Sequence, residues 1–337
     1  MRSILFLTPY LHTLIFGSFA ESHHDEGIYE ICYDMCLGKR NVQISLLAYL
    51  FIFLSIQLSI VYVTQRRKTY ENIPERNSTV RFPKVLIIGA RKAGTRALLD
   101  SLALHPKIRI ARKETHYFTN LNFNKGIDFY AKFMPHLTDE DQIVVEKTPA
   151  YFTSPESPKR VFEFDRNMKL ILIVRNPVER SISDFTQVYY NRLEQNKTLP
   201  VFEEEAFDKN GSLNVEYKPV RNSLYDVHMQ NWLRYFPLSQ ILILNGNLFR
   251  GNPLIELKRV ENFLNLPHSI SLSQLQFNEQ KRFFCFRRIP SRAAHCLGNG
   301  KGRKHRKIED STVEKLKKAF EPHNRKFYKL INRTFDW

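Results

Sequence analysis

Residues 84–96 read Lys-Val-Leu-Ile-Ile-Gly-Ala-Arg-Lys-Ala-Gly-Thr-Arg, and this stretch constrains the fold more than any other. An apolar run with β-branched Val85, Ile87 and Ile88 ends at Gly89. A short loop then carries Arg91, Lys92 and Gly94, and Thr95-Arg96-Ala97-Leu98-Leu99 opens a helix. Strand, small-residue loop and helix N-terminus together make an anion site, because backbone N–H groups and the helix dipole converge there. Gly89 and Gly94 keep the spacing of a Walker A loop, but Thr95-Arg96 replaces its Lys-Ser/Thr pair. The lysine lies inside the loop instead, at Lys92. That departure argues against an ordinary ATPase and for a donor with a different phosphate geometry.

The remaining pattern is that of an α/β chain. Apolar runs predict buried parallel strands at Lys84–Gly89, Gln142–Glu146, Lys169–Arg175 and Gln240–Asn245, with a further strand at Ile108–Ala111. Helical patterns lie between them, at Ser181–Tyr190, Tyr225–Phe236 and Leu254–Leu264. Alternation of this kind implies a P-loop-like, three-layer fold with a central parallel sheet flanked by helices. Near the end, Ser311-Thr312-Val313-Glu314 reads as a capping box opening an amphipathic helix, with Val313, Leu316 and Phe320 inward.

A formal net charge of +17 calls for a polyanion partner, an anionic membrane surface, or both. Nucleic acid is excluded by the compartment that the rest of the sequence implies. Residues 42–64 hold no charged side chain and are long enough to span a bilayer. Lys39-Arg40 and Gln65-Arg66-Arg67-Lys68 flank them, so charge alone gives no orientation. A second apolar stretch, Ile4–Ala20, is signal-like or a second membrane contact. The organisation expected is an N-terminal segment at 1–41, an anchor at 42–64, a polar stem at 65–81 and a luminal domain at 82–337. Sequons at Asn77, Asn196, Asn210 and Asn332 favour the lumen, hence a type II anchor. Cys285 and Cys296 are near enough to close a short loop in an oxidising compartment, whereas Cys32 and Cys36 carry no assignment.

In open α/β sheets the ligand lies beyond the carboxyl ends of the strands. Three such ends here are basic: Arg91-Lys92-Ala93-Gly94-Thr95-Arg96, then Glu146-Lys147-Thr148-Pro149-Ala150-Tyr151-Phe152, then Val174-Arg175-Asn176-Pro177. Together they point to a multiply phosphorylated ligand. These strings resemble the glycan sulfotransferases that use 3′-phosphoadenylyl sulfate, and most of all the heparan sulfate glucosamine 3-O-sulfotransferases. The likeness runs from about residue 82 to Phe335-Asp336-Trp337, through Ser183-Asp184-Phe185-Thr186-Gln187, His228-Met229-Gln230-Asn231-Trp232-Leu233 and Lys301-Gly302-Arg303. Val188-Tyr189-Tyr190-Asn191 leans toward the type 1 and type 5 members, which make antithrombin-binding sites.

The resemblance implies roles for single residues. Lys92, Ala93, Gly94, Thr95 and Arg96 would hold the 5′-phosphosulfate, with Lys92 offsetting charge on the leaving phosphate. Arg175 and Ser183 would bind the 3′-phosphate. Lys301, Gly302, Arg303, Lys304 and His305 would close over the nucleotide, positioned by a Cys285–Cys296 disulfide. Glu114 would be the base that takes the acceptor hydroxyl proton, with His116 sharing that hydrogen bond. Lys113, Lys147, Tyr217, Lys218 and Gln230 would line the cleft for heparan sulfate. Two positions depart from the family pattern: Ala93 stands where glycine is common, and Thr119 where many members carry aspartate. No metal ion is expected, since lysine and arginine supply the positive charge. The location implied is the Golgi membrane. Competing readings are an N- or 6-O-sulfotransferase of the same fold, and an inactive heparan-binding membrane protein. A P-loop kinase lacks its Walker lysine and a metal-binding acid.

Overall fold

The computed structural model describes residues 50, 52–61, 81–288, 293–298 and 305–337. The chain divides into two units, Met1–Arg76 and Asn77–Trp337. In the first, residues 50 and 52–61 are helical and exposed. Among the described residues no helix is long and apolar enough to cross a membrane. Most of the span expected at 42–64 lies outside the described residues, as do Asn77, Cys32, Cys36 and Lys301–Lys304.

The second unit grows from β1 (Val85–Gly89), buried at every position and therefore built from apolar side chains on both faces. The chain continues through α1 (Thr95–Leu102), β2 (Ile108–Ile110), α2 (Ile127–Ala131), β3 (Ile143–Lys147), α3 (Ser157–Phe164) and β4 (Lys169–Val174). Then follow α4 (Pro177–Glu194), α5 (Phe202–Glu205), α6 (Lys218–Arg221), α7 (Tyr225–Leu233), β5 (Ile241–Asn245), α8 (Gly246–Gly251) and α9 (Pro253–Phe263). A hairpin of β6 (Leu275–Asn278) and β7 (Phe283–Phe286) precedes the long α10 (Asp310–Ile331).

Five strands form one sheet in the order β2-β3-β1-β4-β5, and every pairing is parallel. This is the α/β, helix-flanked sheet that the alternating pattern predicts. From β1 the chain leaves toward the β2 edge, whereas from β3 it crosses to β4 on the other side. Such a reversal opens a crevice at the carboxyl ends of these strands. Leu98, Leu99 and Leu102 of α1 are fully buried against the sheet. A second apolar cluster gathers Val178 and Phe185 of α4, Phe202, Val220 and Leu224, with Leu316 and Phe320 of α10.

Several boundaries differ from the sequence expectation for physical reasons. Helix α4 begins four residues before Ser181, because Asn176 accepts from the Val178 and Glu179 N–H groups and Pro177 starts the first turn. Strand β3 extends one residue past Glu146 and so carries Lys147 to the crevice. The capping box at Ser311 does not form. Helix α10 starts at Asp310, and the Ser311 hydroxyl turns back to the Glu309 carboxylate. The inward face of α10 is nevertheless as the pattern requires, with Leu316 and Phe320 buried and Val313 packed beside them.

Gly246, at the turn from β5 into α8, locks the crevice wall. A Cβ there would lie 2.8 Å from the carbonyl oxygens of both Ala93 and Val174, and backbone cannot swing away. Gly246→Ala is therefore expected to lower the unfolding free energy by about 1–3 kcal/mol in a denaturant titration.

Candidate active site

A cleft of about 1300 Å³ opens at the carboxyl ends of the strands. Its floor is the loop between β1 and α1. Ala90 N–H donates to the Ile173 carbonyl at 2.8 Å, and Ala93 N–H donates to Ala90 at 3.1 Å. Lys92 has φ +71°, and Gly94, the N-cap of α1, has φ +110°, a left-handed conformation that favours glycine. The first N–H groups of a helix have no intrahelical partner, and Gly94–Ala97 line the cleft. Backbone donors, the dipole of α1 and the Lys92 ammonium are thus gathered where an anion would sit. Lys92 Nζ also lies 3.4 Å from the Gln187 side-chain oxygen on α4.

The loop is pinned from behind by buried charge. Arg91 Nε donates to Asp184 Oδ1 at 2.7 Å, and Arg180 Nη1 donates to Asp184 Oδ2 at 3.0 Å. Arg180 also reaches the Arg91 carbonyl at 3.2 Å, the Ser223 hydroxyl at 2.6 Å and the Pro219 carbonyl. Burial pushes the Asp184 carboxyl up, but Arg180 and Arg91 outweigh it and hold the group below the ordinary aspartate value. These contacts join the donor loop to α6, which brings Lys218 and Asn222 to the opposite wall.

Glu114 lies on that wall, half-exposed, with its Oε1 bonded to Lys147 Nζ and its Oε2 3.7 Å from His116 Nε2. Lys147 itself is almost wholly buried. Burial lowers the His116 pKa; Glu114 raises it, and Lys147 and Lys218 lower it further, so the ring is largely neutral at pH 7. The arrangement sets a carboxylate, a lysine and a neutral imidazole around one point. That is the equipment for taking a proton from an incoming hydroxyl.

The far end of the cleft is basic and capped. Arg175 leaves β4 and pairs with Glu179 at 2.7 Å, and Ser183 lies in the second turn of α4 rather than at its start. His305 also lines the cleft; burial comes first among the causes that lower its pKa, followed by Arg175. Arg306 N–H donates to the Thr186 hydroxyl at 3.2 Å, and its guanidinium stacks 4.2 Å over the Tyr189 ring. Cys285 and Cys296 form the expected disulfide, which ties β7 to the segment bearing Leu297 at the cleft.

Of the residues singled out in the sequence, Lys92, Ala93, Gly94, Thr95, Arg96, Glu114, His116, Lys147, Arg175, Ser183, Lys218 and His305 all line this one cleft. Lys113, Tyr217 and Gln230 do not. Lys113 is exposed beside Glu114, and Gln230 is exposed on α7. Tyr217 packs on Phe202 in the second apolar cluster, where its hydroxyl is buried without a hydrogen-bond partner. Thr119 donates its hydroxyl to the His116 carbonyl at 2.8 Å and so steadies the turn after Glu114. Asn196, Asn210 and Asn332 are exposed. Arg91, named in the sequence at the basic end of the first strand, also lines the cleft, whereas sequence reasoning missed Gln187, Asn191, Asn222, Arg250 and Phe283–Phe284 as lining residues. These missed residues come from helix faces and a hairpin that periodicity does not aim.

A basic anion cradle thus faces a carboxylate–lysine–histidine group on a five-stranded parallel sheet, and the domain that carries them is a sulfotransferase domain. A family model described as Sulfotransferase domain matches residues 82–336. The sulfotransferase from Alicyclobacillus acidocaldarius shares the fold, with a TM-score of 0.57 at 21% identity over 76% of this chain and 98% of its own. Within that class the chain belongs to the heparan sulfate glucosamine 3-O-sulfotransferase family. It is 45% identical over 257 residues to heparan sulfate glucosamine 3-O-sulfotransferase 5 of Homo sapiens, covering 76% of this chain and 74% of the relative. To heparan sulfate glucosamine 3-O-sulfotransferase 6 of Mus musculus it is 40% identical over 259 residues, again 76% and 74%.

A buried carboxyl behind the cleft wall is shifted upward. Burial pushes Glu146 up from 4.5 to about 7, against the opposing pull of Thr148, Thr115, Tyr151 and Lys147. A folded-state value above the unfolded one means that the native protein binds the extra proton. Its contribution to stability is complete below pH 4.5 and is lost as pH rises toward about 7. The melting temperature of the parent relative to Glu146→Gln should therefore fall across that window and level off above it. His116, His228 and His305 act in the opposite direction, and their effect cancels in the comparison.

Proposed function

We propose that this chain transfers the sulfuryl group of 3′-phosphoadenylyl sulfate to the 3-hydroxyl of a glucosamine residue in heparan sulfate. The observation that carries the reading is the meeting of the Lys92–Arg96 cradle with Glu114 in one cleft. The donor fits the chain's own groups. A left-handed Gly94 frees the start of α1 for a 5′-phosphosulfate, and Arg175, Ser183 and His305 supply donors for a 3′-phosphate at the other end. Glu114 takes the proton from the acceptor hydroxyl as its oxygen forms the new bond to sulfur. Lys92 stabilises the charge that develops on the bridging oxygen as its bond to sulfur breaks and 3′-phosphoadenosine 5′-phosphate leaves. Lys147 aims the Glu114 carboxylate through its ion pair, and neutral His116 holds the acceptor hydroxyl. The reading invokes no metal ion, since lysine and arginine meet the donor's charge.

Lys218, Lys147 and the basic rim of the cleft suit an extended sulfated chain. Binding to such a polyanion releases counterions, so affinity for heparan sulfate should fall steeply with salt. The uncharged run at 42–64, the sequons and the disulfide support a type II Golgi membrane enzyme with its catalytic domain in the lumen. In this reading Asn77, Asn196, Asn210 and Asn332 carry glycans.

The test is transfer of labelled sulfate to heparan sulfate followed by disaccharide mapping. The expected label is on the glucosamine 3-hydroxyl; label on nitrogen or the 6-hydroxyl would favour the competing acceptor positions. Glu114→Gln should lower kcat by roughly 10²–10⁴-fold. Its affinity for 3′-phosphoadenosine 5′-phosphate should stay that of the parent in calorimetry.

A further inference from the structure

We propose that Glu146 is a positioning residue for this reaction, fixing the loop that presents Glu114 and His116 through the hydroxyls of Thr148 and Thr115. Strand alternation sends Lys147 to the cleft and Glu146 to the opposite side, where its side chain is 0% exposed. There the Thr148 hydroxyl donates to Glu146 Oε1 at 2.5 Å, and the Thr115 hydroxyl approaches the same oxygen at 3.4 Å. Thr148 Oγ1 in turn accepts from Thr115 N–H at 3.1 Å and from His116 N–H at 3.4 Å. Tyr151 continues the pattern, its hydroxyl 2.9 Å from Thr115 Oγ1 and accepting from Tyr117 N–H at 3.1 Å.

The logic lies in the single proton of a hydroxyl. Thr148 can offer its lone pairs to two loop N–H groups only if its own hydrogen points elsewhere. Glu146 gives that hydrogen its acceptor. Remove the acceptor, and the hydroxyl is free to rotate away from the loop. The held segment needs such support, because His116 lies between these bonds at φ +50°, a conformation unfavourable for a non-glycine residue. A buried carboxyl is costly unless it is hydrogen-bonded, and here Oε2 has no partner. The titratable groups facing it are Lys147 on its own strand, Tyr151 beyond the strand end and Tyr130 on α2. Only Lys147 is cationic, and its ammonium is engaged by Glu114. Glu146 therefore acts on the loop through the hydroxyls rather than on the acceptor.

The proposal rests on the sulfuryl-transfer reading, and two measurements separate the fates of the two. The first is amide hydrogen exchange over residues 114–118, which needs no activity. Thr148→Val and Glu146→Leu should speed exchange there and leave the Lys92–Arg96 loop unchanged, whereas Thr148→Ser should restore protection. The second is steady-state kinetics. Thr148→Val and Glu146→Leu should lower kcat by roughly 10²-fold, as expected for a base displaced by about an ångström, with the KM for the donor unmoved. Glu146→Gln, which keeps an acceptor for Thr148, should recover much of the loss of Glu146→Leu. Unchanged exchange at 114–118 in Thr148→Val overturns the proposal. So does a loss of kcat that tracks a loss of donor affinity. If Glu146→Leu fails to fold, the Thr148→Val and Thr148→Ser pair decides alone. A parent that transfers no sulfate sinks the reaction assignment, and exchange still rules on the clamp.

Discussion

The buried carboxylate of Asp184, gripped by Arg91 and Arg180, is the contact on which the donor loop depends. A parallel sheet ends its strands at one edge, so Lys92, Arg96, Lys147 and Arg175 are crowded there by topology. Cations in such proximity repel one another, and the β1–α1 loop needs a negative anchor beneath it. Asp184 supplies this from α4 and pairs with both Arg91 and Arg180. Because Arg180 also holds Ser223 and Pro219, the same anchor fixes α6 and the opposite wall. The β1–α1 loop and the opposite wall are thus set against each other by one ion-pair network centred on a buried carboxylate, worth far more intact than with one partner removed.

Three carboxyls around the cleft show how environment divides labour among like groups. Asp184 is buried between two arginines and stays ionised. Glu146 is buried, its carboxyl pushed up to about 7, and its Oε1 accepts from the Thr148 and Thr115 hydroxyls at the end of a relay. Glu114 is 42% exposed, bonded to Lys147 and open to the cleft. The sequence places Glu146 and Lys147 side by side, and strand alternation sends them to different tasks.

How much of this was legible in the chain follows from the range of the interactions. The strands were visible because Val-Leu-Ile-Ile and Leu-Ile-Leu-Ile-Val runs are buried on both faces and need no partner to be recognised. The cradle was visible because strand, loop and helix start are contiguous in sequence. The start of α4 was there to be read in Asn176-Pro177, but the apolar pattern drew attention to Ser181 instead. The Ser311 capping box failed because a matching string does not oblige the helix to start at it. The Arg91–Asp184 pair joins residues 93 positions apart, and no local pattern encodes it. Tyr217 was misplaced for a related reason: its backbone starts α6 beside the cleft, while its ring turns into the second apolar cluster.

The account's central claim is that one cleft holds an activated sulfate on the Lys92–Arg96 loop and presents Glu114 to the acceptor. Its most direct test is a crystal structure of residues 82–337 with 3′-phosphoadenosine 5′-phosphate and a heparan sulfate oligosaccharide. The account predicts the 5′-phosphate within hydrogen-bond distance of the loop N–H groups and Lys92, and a glucosamine 3-hydroxyl against Glu114. A nucleotide bound elsewhere, or a Glu114 carboxylate turned away from the sugar, would contradict it.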